Sequence, residues 1–332
     1  MTKLQLLDKL ISGNSLNTVI FSPILMHFAA RYIGKTYGEF ASDHKVLVEA
    51  NLKILEDFNV DMVSLISDPY RETSAFGAVI EYIPEGVPVC KTRVINDPDD
   101  IKNLKKPEVY KNIRTLDRIK GAELYNKLLG SDVPVIGWIE GPLAEACTLS
   151  GVSEMLVMIM VNPDASDLLL DKCTSFAKEF ALAQLNAGCK IIGMGDAICS
   201  QIDLNTYDRF VKQRHKDIIS YIHKSGGLVK LHICGDISHL LPSIMEVGAD
   251  IIDLDWQVDI ESTHEIMKGN TILCGNINPV TIQNLSENEI YTISQQLAEK
   301  QIGKKFILSG GCEITVNTPH KNLLAMRNAS YY

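Results

Sequence analysis

The sequence lacks an excess of positive charge, a long apolar run and an export signal. Its 332 residues contain 32 Lys plus Arg against 41 Asp plus Glu, a formal net charge of −9. A protein that binds a nucleic-acid backbone needs clustered basic residues, so we expect no such partner. No run of about 18 apolar residues is present, so we expect no membrane-spanning helix.

The beginning of the chain, residues 1–15, predicts a short amphipathic helix followed by a turn. It lacks the apolar block and the small-residue cleavage site of a signal peptide. We therefore expect a cytoplasmic protein in a reducing compartment, where the eight cysteines are free thiols or metal ligands.

Three common catalytic motifs are also absent: the GxxxxGK[ST] loop, the GxSxG elbow and the GxGxxG fingerprint. The segment Gly193-Met194-Gly195 supplies only G-x-G. These absences weigh against a P-loop nucleotide hydrolase, a nucleophile-elbow hydrolase and a dinucleotide-binding enzyme.

Short apolar runs rich in Val, Ile and Leu recur along the chain and end at polar, Gly or Pro residues. Most are nearly continuous rather than alternating, which is typical of parallel strands covered on both faces. We predict eight strands: Asn17–Ser22, Asp61–Ser67, Val133–Glu140, Lys190–Asp196, Leu228–Cys234, Asp250–Asp255, Thr271–Asn276 and Lys305–Ser309.

Stretches with helical periodicity separate most of these strands, among them Asp164–Asn186, Tyr207–Lys224 and Leu285–Lys300. This alternation predicts an α/β fold, a single (β/α)8 TIM barrel over residues 1–332 with an N-terminal helix. The proline-rich segment Gly77–Asn112 breaks the alternation and predicts a hairpin or loop insertion after strand 2. The alternative is a doubly wound sheet in two domains.

Chemistry in such a barrel gathers at the carboxyl ends of the strands. The fifth predicted strand ends in His232-Ile233-Cys234, and the i, i+2 spacing puts His232 and Cys234 on one side of it. The eighth runs into Gly310-Gly311-Cys312 at the same rim. Two thiolates and an imidazole predict a zinc site with a fourth position open for substrate. The alternative is that these cysteines, like others, are ordinary buried thiols.

Carboxylates also collect at the predicted strand ends: Asp68, Glu140, Asp196, Asp253 and Asp255. Isolated acids at strand ends often cap helices. Several acids converging on one mouth indicate an active site, because unpaired buried carboxylates are costly. Asn276 and Trp256 would complete a polar rim with an aromatic wall, and Met194 would add an apolar part of the opening.

Four segments carry a resemblance to a known family: LVKLHICGD, GADIIDLDWQVD, LCGNINP and FILSGGCEI. They resemble successive strands of the uroporphyrinogen decarboxylase superfamily, and the resemblance extends over nearly the whole chain. Within it, the set His232, Cys234 and Cys312 resembles the zinc motif of corrinoid-dependent methyltransferases. The true decarboxylases lack this metal site and carry an Arg-rich motif after the first strand, where Ser22–Tyr32 has one Arg.

The resemblance implies a zinc-dependent enzyme of one-carbon metabolism, of the methylcobamide:coenzyme M methyltransferase or O-demethylase type. It would move a methyl group between a corrinoid cobalt and a small molecule. That molecule is a methyl donor, such as an aryl methyl ether or a methylamine-type compound, or a thiol acceptor such as coenzyme M. The chain lacks D-x-H-x-x-G, so we expect the corrinoid on a separate partner protein.

The rim residues receive expected roles on this basis. Asp255 is the candidate fourth zinc ligand, because the related cobalamin-independent methionine synthase uses a carboxylate from another strand; Glu140 is the rival. Asp68, which resembles the decarboxylases' catalytic Asp, and Asp196 are candidate catalytic residues. The candidate substrate contacts are Glu140, Asn276, Trp256 and Met194. Two alternatives stay open: a metal-free decarboxylase, and a non-catalytic barrel that binds a ligand or a corrinoid protein.

Overall fold

A computed structural model describes residues 1–14 and 16–331. The strands are β1 Ile20–Phe21, β2 Val63–Ser64, β3 Ile80–Glu81, β4 Val89–Cys90, β5 Val135–Glu140, β6 Ile191–Gly195, β7 Leu228–His232, β8 Ile251–Asp253, β9 Ile272–Ile277 and β10 Phe306–Gly310. Eight of them are parallel and form one curled sheet in the order β1-β10-β9-β8-β7-β6-β5-β2, so the fold is an α/β TIM-barrel-like one. All eight predicted strands are confirmed, with β1 and β2 reduced to two residues each.

Helices follow most of the strands, and the three helices named from periodicity, Asp164–Asn186, Tyr207–Lys224 and Leu285–Lys300, are helical over most of their length. The α-helices are α1 Lys3–Ile11, α2 His27–Tyr32, α3 Tyr37–Ser42, α4 His44–Phe58, α5 Arg71–Ala75, α6 Pro98–Asn103, α7 Ile113–Leu129, α8 Pro142–Ser150, α9 Val152–Val161, α10 Pro163–Asn186, α11 Leu204–Thr206, α12 Lys212–Lys224, α13 Leu241–Met245, α14 Ile260–Met267, α15 Pro279–Asn284, α16 Glu287–Lys300 and α17 His320–Asn328. A π-helical turn, Tyr207–Val211, precedes α12 inside the predicted helix. The predicted N-terminal helix is α1, and Ser15 of the predicted turn lies outside the described residues.

Across the described residues, no single helix is long and apolar enough to cross a membrane. The pair α8 and α9, bent by 108° at their junction, passes that test together by length and composition alone.

The predicted insertion after the second strand is an antiparallel hairpin, β3 and β4, followed by the short helix α6. The residues that connect its strands include Val87, which lines a cavity at the mouth of the barrel. The insertion therefore covers part of the mouth.

The strand register sets which side chains share a level in the barrel. Glu140 of β5 is paired with Gly195 of β6, Gly195 with His232 of β7, and His232 with Asp253 of β8. Both β5 and β6 are buried along their whole length, which explains their continuous apolar sequences. The register therefore places two acids, a glycine and a histidine on one level near the carboxyl ends of the strands.

The buried carboxylate of Asp61 joins the two end strands of the sheet. The Asp61 N–H donates to the Phe21 carbonyl, and the Asp61 carboxylate accepts the Phe21 N–H, both at 2.8 Å. The same carboxylate accepts hydrogen bonds from Arg327 at 2.8 Å and from Lys3 at 2.9 Å. Asp61 is 1% exposed, so these contacts satisfy a buried charge.

Replacing Asp61 tests how far the barrel depends on this contact. We expect Asp61→Ala to lower the free energy of unfolding by about 3–5 kcal/mol, because the substitution leaves Arg327 buried without a counter-charge. Urea denaturation measures the change, and Asp99→Ala, which removes an exposed carboxylate paired with Lys102, is the control. A loss no larger than that of the control would contradict the assignment.

Candidate functional site

The donor atoms of His232, Cys234 and Cys312 meet at the carboxyl end of the barrel. His232 is the last residue of β7, Cys234 follows it by two residues, and Cys312 lies just after β10. His232 Nε2 lies 3.0 Å from Cys234 Sγ and 3.9 Å from Cys312 Sγ, and the two sulfurs are 3.8 Å apart. The structure thus brings together three side chains that the sequence places up to 80 residues apart.

Two of these distances, 3.8 and 3.9 Å, are close to those around a single tetrahedral ion, and the 3.0 Å between His232 Nε2 and Cys234 Sγ is shorter. Sulfur ligands at ~2.3 Å and nitrogen ligands at ~2.0 Å from a tetrahedral zinc lie about 3.5–3.8 Å from one another. Two thiolates and an imidazole are a zinc-type donor set. All three residues line the cavity at the mouth, so that side is left for a fourth ligand.

The Asp253 carboxylate faces the His232 ring. Its Oδ2 lies 3.6 Å from His232 Nδ1, beyond hydrogen-bond distance, and its Oδ1 lies 3.1 Å from the ammonium of Lys230. A carboxylate facing one ring nitrogen favours a proton there and leaves the other, Nε2, free to bind a metal. The sequence placed Asp253 at the rim without a role, and its position opposite His232 appears only in the structure.

Two close backbone contacts hold the cysteine-bearing loops. Asp255 accepts the N–H of Gly235 at 2.7 Å and the N–H of Trp256 at 2.6 Å. A Cβ on Gly311 would lie 2.3 Å from the Trp256 nitrogen, so only glycine lets the loop of Cys312 approach so closely. Asp255 therefore ties the loop after Cys234 to the segment that the Cys312 loop packs against.

A hydrogen bond between the Cys234 and Cys312 thiols shifts their two pKa values in opposite directions. Cys234 donates to Cys312, which lowers the pKa of Cys312 to about 5 and raises that of Cys234. In the metal-free protein the pair holds one proton. A bound dication would displace that proton, because metal ligands must be thiolates.

The cavity in front of these donors has a volume of about 220 Å³. Its apolar walls include Ile24, Met26, Ile66, Val87 and the indole of Trp138. Its polar groups include the carboxyls of Asp68, Glu140 and Glu313.

Trp138 owes its position to two glycines of the neighbouring strand. A Cβ on Gly193 would lie 2.2 Å from the indole ring, and one on Gly195 would lie 3.2 Å from it. The Gly193-Met194-Gly195 segment therefore makes room for an aromatic wall. Met194 itself is fully buried in the core and does not line the cavity.

Two buried arginines neutralise the cavity acids from behind. Arg71 donates to Glu140 at 2.7 Å and to the Asp68 carbonyl, and Arg114 donates to the Asp68 carboxylate. Burial opposes ionisation of Asp68, but Arg114 and Arg71 outweigh it, so the pKa of Asp68 is lowered. Burial raises the pKa of Glu140 to about 8 against the effect of Arg71.

The sequence analysis did not predict these ion pairs. Ser22–Tyr32 holds a single Arg, and the basic partners of Asp68, Arg71 and Arg114, come from later segments of the chain. Since both guanidinium groups are buried and paired with acids, they do not line the cavity.

The two candidate fourth ligands are engaged elsewhere. Both carboxylate oxygens of Asp255 accept backbone N–H groups, and Glu140 is paired with Arg71. Neither Asp255 nor Glu140 has a carboxylate oxygen within 4.8 Å of all three donor atoms of His232, Cys234 and Cys312.

Asp196 does not reach the cavity, contrary to its expected catalytic role. Its carboxylate accepts the N–H groups of Leu143 and Ala144 at the start of α8 and contacts His215 Nε2 at 2.9 Å. It forms a fully buried cluster with His215 and Cys199. Asp196 therefore anchors α8 to the end of β6.

The other expected substrate contacts also lie off the cavity. The Asn276 amide donates to the backbone carbonyls of Asp255 and Val258. Trp256 is 48% exposed at the rim, and Cys274, near the same rim, is a fully buried thiol of β9. Of the four expected substrate contacts, Glu140 alone lines the cavity. Sequence alternation gives the side of a strand but does not show which loop side chains turn inward.

Glu145 is a buried acid near Glu140, and its protonation can be tested. Both of its carboxyl oxygens lie 3.1 Å from the Thr73 hydroxyl, and burial raises its pKa well above the usual range. The folded chain therefore keeps a proton that the unfolded chain loses above about pH 4.3, so this group lowers stability as pH rises.

Glu145→Gln removes this titration while keeping the hydrogen-bond acceptor. We expect the free energy of unfolding of the variant, relative to the parent protein, to increase between pH 5 and pH 8. The same urea series on Glu287→Gln, at the exposed start of α16, is the control. A relative stability that stays flat or falls over this range would refute the buried, protonated acid.

The chain resembles curated proteins of two activities. It is 24% identical over 317 residues, 91% of each chain, to the uroporphyrinogen decarboxylase of Geobacter metallireducens. It is 27% identical over 235 residues, 68% of each chain, to the methylcobamide:CoM methyltransferase MtbA of Methanosarcina mazei.

Solved structures show the same fold. A methyltransferase from Methanosarcina mazei superposes with a TM-score of 0.90 at 20% identity, covering 99% of this chain and 98% of that one. A B12-independent methionine synthase from Shewanella sp. W3-18-1 gives a TM-score of 0.58 at 14% identity, covering 86% and 84%.

A family model settles the classification. The uroporphyrinogen decarboxylase (URO-D) model matches residues 3–331, almost the entire sequence. This extent agrees with the eight-stranded fold and with the curated relatives. The chain belongs to the uroporphyrinogen decarboxylase family.

Proposed function

We propose that the protein is a zinc-dependent methyltransferase that moves a methyl group between the cobalt of a corrinoid on a separate protein and a small substrate held at the zinc. The observation that carries this proposal is the convergence of His232 Nε2, Cys234 Sγ and Cys312 Sγ within 3.9 Å at the wall of a cavity. The name of the Methanosarcina mazei relative, a methylcobamide:CoM methyltransferase, supports the same class of reaction.

The three donors would hold the zinc, and the residues around them would set its geometry. When bound, zinc would supply a Lewis acid that favours the thiolate form of a thiol or stabilises a leaving oxygen. Asp253 faces Nδ1 of His232 and favours a proton there, and Asp255 fixes the loop after Cys234. With its oxygens so engaged, Asp255 acts as a positioning residue, and the fourth position is left to the substrate.

Methyl transfer to a thiol needs in-line displacement and a place for one proton. The sulfur–carbon bond forms while the carbon–cobalt bond breaks, and the electron pair stays on cobalt. Glu140, whose pKa of about 8 lies near neutrality, can accept the thiol proton or, for a methyl ether, protonate the leaving oxygen. Trp138 and the apolar walls exclude water from the reacting atoms.

A second candidate, metal-free uroporphyrinogen decarboxylation, is favoured by the names of several curated relatives and by Asp68. The cavity disfavours it, because Asp68 is already paired with buried arginines. None of the described residues that line the cavity is Lys or Arg, so a polycarboxylate would find no guanidinium or ammonium group there.

Zinc content tests the metal site. We expect about one zinc per chain in the purified protein, and a large loss in Cys312→Ser, because a hydroxyl replaces a thiolate ligand. Plasma mass spectrometry measures the metal. The control is Cys90→Ser, which changes a half-buried thiol outside the site. Equal zinc in both variants would exclude Cys312 as a ligand.

Methyl transfer tests the reaction. Absorbance should report demethylation of methylcobalamin by small thiols, or methylation of cob(I)alamin by ethers and amines, with at least a 100-fold loss in His232→Ala. A parallel assay with uroporphyrinogen detects coproporphyrinogen. Decarboxylation that survives zinc removal, without methyl transfer to any thiol or from any donor, would replace the proposal with the second candidate.

A further inference from the structure

The polar groups of the cavity are mainly hydrogen-bond acceptors. Asp68, Glu140 and Glu313 present carboxyls from three positions on the rim, after β2, at the end of β5 and after β10. None of the described residues that line the cavity is Lys or Arg. A substrate group that reaches this wall therefore meets carboxylate oxygens.

The nearby positive charges cannot substitute for a basic lining. Arg71 is 0% exposed and Arg114 4% exposed. Arg71 donates to Glu140 and to the Asp68 carbonyl, while Arg114 donates to Asp68 and to the Ala41 carbonyl. The acids lie between these guanidinium groups and the cavity, so an anion cannot reach them.

Glu313 is the acid best placed to receive a substrate group. It follows Cys312 directly, so it lies beside the metal-binding thiols. One of its oxygens, Oε1, accepts the backbone N–H of His27 at 2.8 Å and lies 3.4 Å from Nδ1 of the His27 ring. No hydrogen bond to Oε2 is present among the described residues, so this oxygen is left for a substrate group. Its side chain is 25% exposed, which leaves it accessible from the cavity.

The neighbouring walls suit a small cation. The Trp138 indole lines the cavity, and aromatic faces attract ammonium groups. The Tyr37 ring also lines the cavity, but the His27 ring is stacked on it with the two ring centroids 3.6 Å apart, so that face is covered. The Tyr37 hydroxyl donates to the Ser67 carbonyl, so it is already engaged as a donor. Carboxylates together with an aromatic face favour a cationic hydrogen-bond donor over a sulfonate or carboxylate.

We propose, on the basis of the proposed function, that the substrate held at the zinc is an aminothiol, whose ammonium group is bound by Glu313. Three two-carbon thiols separate the possibilities because they differ only in the end group: 2-aminoethanethiol, 2-mercaptoethanol and 2-mercaptoethanesulfonate. Calorimetry on the zinc-loaded protein should give the affinity order amine, alcohol, sulfonate. The amine should bind at least about tenfold more tightly than the sulfonate.

Glu313→Gln tests the residue. The amide oxygen can still accept the His27 N–H, so the fold is retained while one negative charge is lost. We expect the preference for the amine over the sulfonate to fall at least about fivefold. Glu265→Gln, which changes an exposed acid of α14, should leave the preference unchanged.

Sulfur-free analogues separate this inference from the proposed function. Ethylammonium, ethanol and ethanesulfonate are compared by saturation-transfer NMR on zinc-loaded and zinc-free protein. If ethylammonium is preferred but 2-aminoethanethiol binds equally tightly with and without zinc, the zinc–thiol function fails and the preference for a cationic group stands. A preference for the sulfonate, equal binding of all three end groups or no binding of any compound overturns the inference.

Discussion

The contact of Asp61 with Phe21 is the interaction on which the arrangement of the barrel mouth depends. The two end strands of the sheet are short. The Asp61 N–H donates to the Phe21 carbonyl, and the Asp61 carboxylate accepts the Phe21 N–H while it pairs with Arg327 and Lys3. Closing the ring brings the carboxyl ends of strands from both ends of the chain to one rim. Without that closure, the segments after β2 and β10 would not face the same cavity.

Closure of the barrel brings two groups of side chains to opposite sides of the mouth. On one side, the ends of β7 and β10 bring together the donor atoms of His232, Cys234 and Cys312. On the other, β2 and β5 deliver Asp68 and Glu140, whose charges are offset by arginines that stay out of the cavity. A bound zinc with two thiolates would carry no net charge, so the substrate would be selected by Glu313, which no Lys or Arg of the described residues pairs with, rather than by the metal. The same arrangement explains how a barrel of this family can differ from a polycarboxylate-binding enzyme.

The sequence predicted the fold well because parallel strands buried on both faces leave continuous apolar runs, as in β5 and β6. It also predicted that His232, Cys234 and Cys312 would meet, as they do in the structure, since position at a strand end fixes which residues share the rim. It could not identify Arg71 and Arg114 as partners of Asp68, because ion pairs between distant segments leave no local pattern. The sequence also could not predict the direction in which an individual side chain at the rim points.

The misplaced candidates show the same limit. Asp196 follows a strand as an active-site acid would, but its carboxylate is turned toward the start of α8. Met194 lies between Gly193 and Gly195 of β6, but its side chain points into the core. Trp138 fills the space that the two glycines leave. Strand position predicts the level in the barrel, whereas orientation depends on packing against neighbouring elements.

X-ray absorption at the zinc edge, recorded with and without a bound thiol, would show directly whether His232, Cys234 and Cys312 hold a zinc whose fourth position takes the substrate. We expect two sulfur ligands at ~2.3 Å and one imidazole nitrogen at ~2.0 Å in the free protein, with a third sulfur added by the thiol. A zinc site with no sulfur ligands, or one whose sulfur count is unchanged by thiols that bind, would contradict this expectation.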